Sequence, residues 1–424
     1  QQNTSDLLVA DVGFSGRFSL PMGVPVDYAF GLQYRSEHLK IRFEDLSDVN
    51  INPGNSTDPR EVPGIFIFFR GGQEDQVQQD VFAWFTELAT PVRNDLTLQL
   101  ALRYESYGGN IGESVDPRIA LGWELSPTLT LKTSASTTFR APSLNQTSLD
   151  TTYLELIGAA FAFKAVDRIG NENLMPETSV STSVSVTWEP TELWTINLDY
   201  WNYQLQDIIV QESANDLVNT AFDTPSSDPH AQVIVDGGGN IARILSHYVN
   251  GPDIEVDGID FYGQYLQRLP RAQLTIGWDI AFLHRYDVGE SELSSAFSAA
   301  GKLNTGTFVK SLPKWQGKLY ANYAHKAFNA RLVLNGIGAY TDDGLNILKK
   351  TTFETFITEE KVDPHYSFDA HLIWRGLSPQ TQLSLSVLNL ADRNPPSARL
   401  DMRFDTTRHN AFGRMFKFRV QHKL

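Results

Sequence analysis

Side chains able to hold a small molecule gather in the irregular stretches of this chain. One group is Tyr153, Phe161, Phe163, Lys164 and Arg168, and a second is Phe222, His230, His247 and Tyr248. Binding residues concentrate in loops carried by a rigid scaffold, so these are candidates for ligand contact. Packing of a loop on itself would use the same residues.

Covalent chemistry finds no comparable group. The 50 Asp and Glu residues supply carboxylate pairs everywhere without singling out two across a cleft. There is no HExxH, GxSxG or phosphate-binding loop. With Cys 0, thiolate nucleophiles, thiolate metal sites and disulfides are all excluded. Asp236-Gly237-Gly238-Gly239-Asn240 lacks the Lys-Ser/Thr or calcium-loop spacing that would make it a ligand cradle, and reads as a hairpin turn. The expectation is no catalytic residue, no metal and no cofactor.

Composition narrows what must position the candidates. A net charge of -15 disfavours nucleic acid, since each neutralised phosphate wants a Lys or Arg. Hydrophobic residues at 41% and charged residues at 20% exclude a disordered polyelectrolyte. Aromatics at 11% suit strands and membrane-interface girdles. No apolar run approaches the ~18–20 residues of a membrane helix, so a membrane would be crossed by strands.

The strands announce themselves by period two. Leu96, Leu98, Leu100, Leu102 and Tyr104 alternate with Thr97, Gln99, Ala101, Arg103 and Glu105, and the pattern returns at Leu274, Ile276, Trp278, Ile280 and Phe282. A soluble sandwich alternates as well. The connections separate the two readings: short ones at 20–24, 91–93, 126–127, 189–192, 270–271 and 376–379 alternate with long ones at 44–79, 140–178, 212–253, 289–311, 341–363 and 391–412. Short periplasmic turns opposite long extracellular loops are the pattern of a transmembrane barrel. About fifteen strands result, or sixteen if residues 241–250 form a hairpin with the strand from Ile254 through Gly251-Pro252-Asp253. The fold class is therefore all-β, a transmembrane antiparallel barrel, with residues 1–424 read as one domain.

Local motifs sharpen this. Phe82-Ala83-Trp84-Phe85-Thr86-Glu87-Leu88 precedes the strand from Leu96, and Asp116-Pro117-Arg118 follows it. Phe139-Arg140-Ala141-Pro142-Ser143 then ends a strand, and the segment from Gly170-Asn171 to Pro176-Glu177-Thr178-Ser179 opens the next. Leu198-Asp199-Tyr200-Trp201 and Val256-Asp257-Gly258-Ile259-Asp260 follow, then Leu388-Asn389-Leu390-Ala391-Asp392-Arg393-Asn394-Pro395-Pro396, with Gly413-Arg414 before a last strand carrying Phe416, Phe418, Val420 and His422 on one face. In this order the segments resemble the barrel of TonB-dependent outer-membrane receptors over residues 79–424, with Glu172 standing where that family usually has Pro.

The resemblance implies a 22-stranded barrel, of which about 15–16 strands lie here, with the plug domain absent from this chain. The sequence opens without a signal peptide, and the expectation is a C-terminal fragment, roughly the final two-thirds of a barrel, that would not transport alone. The family implies TonB-dependent active uptake of a scarce ligand, by default a ferric siderophore, in the outer membrane of a Gram-negative bacterium. It also implies partners: the TonB-ExbB-ExbD complex, outer-membrane lipids and lipopolysaccharide, and a small-molecule ligand, with the receptor a monomer and no enzyme. Arg140, Pro142, Asn171, Pro176, Glu177, Asn389, Pro395, Gly413 and Arg414 match its motifs and are expected to serve structure. A passive porin-like channel, uptake of a carbohydrate or other non-iron ligand, and a soluble β-rich enzyme or carbohydrate-binding protein remain the other readings.

Overall fold

The computed structural model describes residues 2–43, 71–72, 74–109, 111–148, 151–158, 162–223, 232–235, 237–291, 295–343, 360–378, 380–400 and 402–423. The alternating segments form fifteen long strands, each antiparallel to the next: Gln2–Ser19, Pro25–Arg42, Asp75–Arg93, Leu96–Gly108, Gly112–Ser126, Leu129–Arg140, Glu177–Trp188, Trp194–Gln206, Ile254–Leu269, Ala272–Val288, Trp315–His325, Phe328–Ile337, His365–Ser378, Thr381–Leu388 and Met415–His422.

One face of this sheet is apolar and open to its surroundings. Phe416, Phe418 and Val420 are 69%, 69% and 58% exposed, an arrangement that belongs in lipid, not water. Register places aromatic residues of this face toward both ends of the strands, with Trp278 and Phe368 between them at the level of Leu319. Near the short turns stand Trp188, Trp194, Tyr265, Tyr323, Phe328 and Trp374; near the long connections stand Tyr34, Trp84, Tyr104, Trp315 and Tyr366. Two such girdles mark the two interfaces of a bilayer.

The opposite face is polar and concave. On the second strand Gln33 accepts from Arg103 of the fourth at 3.2 Å, and Arg35 donates to Tyr107 of the fourth at 3.2 Å, both across the intervening third strand. Side chains two strands apart meet on the inside of a curved sheet. The curvature is eased where aromatic rings lie over glycines: a Cβ on Gly258 would stand 2.5 Å from Trp201, and one on Gly277 would run into the Tyr320 ring. A ring covering a glycine keeps both strand pairing and close packing at a bend.

Seven connections at one end are tight turns and seven lie at the other, where all but one are long. The exception is the hairpin from Gly108 to Gly112, whose turn uses Gly108 and Gly109 at φ +67° and +56°, a backbone that glycine adopts without steric cost. Residues 91–93, expected as a turn, are instead the end of a strand. A register shift between Pro91 and Arg93 absorbs the proline, which has no N–H to give to the ladder, and the turn falls at Asn94-Asp95.

The sixteenth strand is not in the barrel. Ile241–Asn250 pairs with Ile209–Gln211, with Val233–Val235 and, in parallel, with Ala162–Ile169, which in turn pairs with Thr151–Ile157. Gly71–Gly72 adds to the edge at Thr151–Thr152, so three long connections fold together into a second sheet at the long-loop end. The helix Ala214–Asp223 covers it through Ala214, Leu217 and Val218, packed on Ile157, Val166, Val233, Ile241 and Ile244. Ile241–Asn250 finds more partners there than an extra hairpin in the wall would give it. Between Val233–Val235 and that strand the expected hairpin turn is present over its described residues, with Gly239 at φ +81°. Below this sheet, Ile208, Ile254, Val288, Ala299 and Val309 form a buried plate at the junction with the wall.

Candidate functional site

The long-loop rim is where the expected motif residues converge. Arg140 ends one strand and Glu177 begins its neighbour, directly opposite in register, and their side chains form a two-pronged ion pair. The Glu177 carboxylate also accepts the N–H of Ile209 at 2.7 Å, so one side chain fastens the wall to the second sheet. Pro142 is fully buried. Asn171 donates to the carbonyl of Tyr248 at 2.9 Å and accepts from the N–H of Asn173 at 2.9 Å. Asn250 grips Met175 by both backbone groups at 2.8 Å, which holds the chain just before the half-buried Pro176.

The last strand is entered through a second built corner. Asn389 has φ +51° and gives its N–H to Asp369 at 2.8 Å, while its amide exchanges hydrogen bonds with the backbone of Arg393 at 2.8 and 2.9 Å. Asp392 then accepts the N–H of Arg414 at 2.7 Å, and Gly413 passes at φ +63° where a Cβ would meet that same carboxylate oxygen at 2.8 Å. The Arg414 side chain is exposed and Pro395 half-buried. These motif residues make corners and clamps.

The candidate ligand residues are brought together only in part. Tyr153 packs against the core of the second sheet, burial pushes its hydroxyl pKa up, and the Arg168 guanidinium lies 4.1 Å over its ring. Lys164 stands half-exposed opposite Glu155 in register. His247 turns Nδ1 toward Glu212 at 3.4 Å, and that carboxylate also takes the His247 N–H at 2.9 Å and the Gln232 amide at 2.6 Å. Tyr248 is half-exposed on the same strand as His247. Phe222 lies in the helix Ala214–Asp223. Phe161 and His230 fall outside the described residues.

Two groups escaped sequence reasoning. On the inner wall a groove of about 720 Å³ is lined by Asn197, Asp260, Tyr262, Asp279, Lys318 and Arg331. Within it Lys318 pairs with Asp279 at 2.9 Å and Arg331 stacks on Tyr320 at 4.1 Å. The other lies at the rim, where Tyr340, Asp405 and His409 are buried together. Its members are up to 69 residues apart in the chain, and nothing in their local sequence marks them. Among the described residues no cluster of three or more His, Cys, Asp or Glu side chains could hold a metal ion.

With a lipid-facing exterior, a polar interior and elaborated loops at one end in place, comparison with known families is direct. The family model for the TonB-dependent receptor-like β-barrel matches residues 1–390. The chain belongs to this family. Its architecture is accordingly the transmembrane antiparallel barrel of a TonB-dependent receptor, its place the outer membrane of a Gram-negative bacterium, with the long loops extracellular and the short turns periplasmic.

Solved structures agree on the fold. A mutant of the ferric enterobactin receptor of Pseudomonas aeruginosa, in complex with enterobactin, is similar at TM-score 0.69 and 15% identity over 99% of this chain and 54% of that one. The siderophore receptor PirA of Acinetobacter baumannii gives 0.67 and 13% over 99% and 55%. The outer-membrane transporter YddB of Escherichia coli gives 0.63 and 11% over 100% and 55%. The chain thus spans about half the length of these proteins. No curated protein matches it by sequence.

Proposed function

We propose that this barrel serves the TonB-dependent active uptake of a scarce small-molecule ligand, a ferric siderophore in the first instance. The observation that carries the reading is the family match over residues 1–390, on a fold whose similar structures include siderophore receptors. Residues 1–424 would act as one barrel domain, monomeric in the outer membrane among its lipids and lipopolysaccharide. Energy would come from the TonB-ExbB-ExbD complex. No covalent step is involved, and the chain needs neither catalytic residue nor cofactor.

The mouth is suited to reception. Lys164, His247 and Tyr248 stand half-exposed on the second sheet, held by the Arg140–Glu177 pair and the Asn171 and Asn250 clamps. A rigid scaffold under polar and aromatic side chains is what precise loop recognition requires.

The test is deletion of the full gene in its own host, followed by uptake of radioactive iron supplied as a panel of ferric siderophores. Loss of uptake of one chelate, with the same loss in the wild type on adding a protonophore, is the expected outcome. Unchanged iron uptake together with altered uptake of an oligosaccharide would move the reading to a non-iron ligand. Protonophore-insensitive leakage of unrelated solutes would replace it with a passive channel.

A further inference from the structure

The rim cluster joins four chain segments: 301–312, 340–342, 360–362 and 398–409. Gly301 and Leu303 exchange backbone hydrogen bonds with Thr341 at 2.8 and 2.9 Å, Tyr340–Asp342 pairs with Glu360–Val362, and Asp342 accepts the N–H of Arg399 at 2.7 Å. Leu303, Tyr340, Val362 and Ala398 form the apolar part. The polar part is centred on Asp405, which accepts the Tyr340 hydroxyl at 2.9 Å and the Thr407 N–H and hydroxyl at 2.9 and 2.6 Å. Arg408 donates to the Ser311 carbonyl at 2.7 Å and Thr407 meets the Ser311 hydroxyl at 2.8 Å, so the 402–409 segment is also tied to 301–312.

His409 sits inside this knot, 8% exposed. Its Nε2 lies 3.3 Å from the Tyr340 hydroxyl. That hydroxyl has one proton and spends it on Asp405, so the contact is a hydrogen bond only if Nε2–H donates to Tyr340. The proton order fixes the tautomer: Nε2 carries hydrogen and Nδ1 carries the lone pair. Nδ1 is buried and has no partner. An unpaired acceptor already carries the cost of its burial; an added proton would raise that cost by making it a buried, charged donor with nothing to receive it.

We propose that His409 is an acid-operated latch on the extracellular rim, whose protonation frees the 402–409 segment from Tyr340 and loosens the four segments it joins. The groups that face it are Tyr340 from 340–342, Asp405 and Arg408 from its own segment, and His365 at the start of the strand His365–Ser378, whose ring meets it edge-on at 5.2 Å. Asp405 alone favours the imidazolium. Burial, then His365 and Arg408, oppose it and push the closed-latch pKa down to about 4, against 6.5 for a free histidine. The sign follows. The open rim binds the proton more readily, so closure is fully favoured above pH 6.5 and is lost as pH falls toward 4. Each unit in that window raises the open-to-closed ratio roughly tenfold. The latch does not depend on which ligand the barrel takes.

The experiment is hydrogen exchange on the full receptor in detergent micelles, at pH 7 and pH 5, corrected for the intrinsic rates. Peptides over 301–312 and 402–409 should exchange faster at pH 5 by a factor of ten or more, while peptides over Glu177–Trp188 do not change. His409→Gln keeps a donor to Tyr340 and cannot be charged, so it should abolish the difference. Tyr340→Phe should open the rim at both pH values, which tests the latch even if the glutamine variant fails to fold. Equal exchange of the wild type at the two pH values, or a pH effect that persists in His409→Gln, overturns the proposal.

Discussion

The Glu177 carboxylate joins three parts of the molecule with one side chain, and its loss should show at the contact least open to water. It pairs with Arg140 and caps the Ile209 N–H. Because the arginine is 49% exposed, the ion pair itself contributes little, and the orphaned N–H dominates. Glu177→Ala is expected to cost about 1–2 kcal/mol locally, read as faster exchange at Ile209–Gln211 without loss of barrel folding. A second expectation concerns Gly413, whose φ of +63° and closeness to Asp392 leave no room for a side chain. Gly413→Ala should cost about 1–2 kcal/mol through its left-handed backbone, checked by the temperature at which the folded band is lost on electrophoresis in SDS. Asn389 was legible because its side chain acts locally: the amide bonds within four residues, and a motif records that. Tyr340 and Asp405, 65 residues apart, are joined only by the folded rim.

Alternation was enough for the wall, since a strand with lipid on one side and polar groups on the other must repeat every second residue. It failed where that constraint lapses. Ile209–Gln211 and Val233–Val235 are three residues each, too short to display a period, and the parallel pairing of Ala162–Ile169 with Ile241–Asn250 joins two different loops. Of the second sheet, the sequence therefore marks only Ile241–Asn250 as a strand. Being held by one core, the sheet should respond as a unit: Ile244→Ala is expected to cost it about 2–4 kcal/mol. Exchange should then quicken at both Thr151–Ile157 and Ile209–Gln211, with the wall unchanged. A response confined to Ile241–Asn250 would show the loops to be separate.

For the molecule as a whole, the two faces predict opposite tolerances. Leu319 faces outward and is 47% exposed, between Trp278 and Leu334. Leu319→Arg should cost about 2–4 kcal/mol at mid-bilayer depth and lower the yield of folded barrel in the outer membrane. Its neighbour Lys318 faces inward against Asp279. Lys318→Gln should leave assembly intact, and equal damage from the two would contradict the assignment of faces.

The buried plate of Ile208, Ile254, Val288, Ala299 and Val309 gives the rim a mechanical property. Ile208 stands next to the second sheet, Ala299 and Val309 come from the loop tied to the His409 knot through Ser311, and Ile254 and Val288 from the ends of adjoining wall strands. Two separately folded jaws thus bear on one fulcrum. These five side chains are the packed contact through which a shift of one jaw meets the other and the ends of the two wall strands beneath.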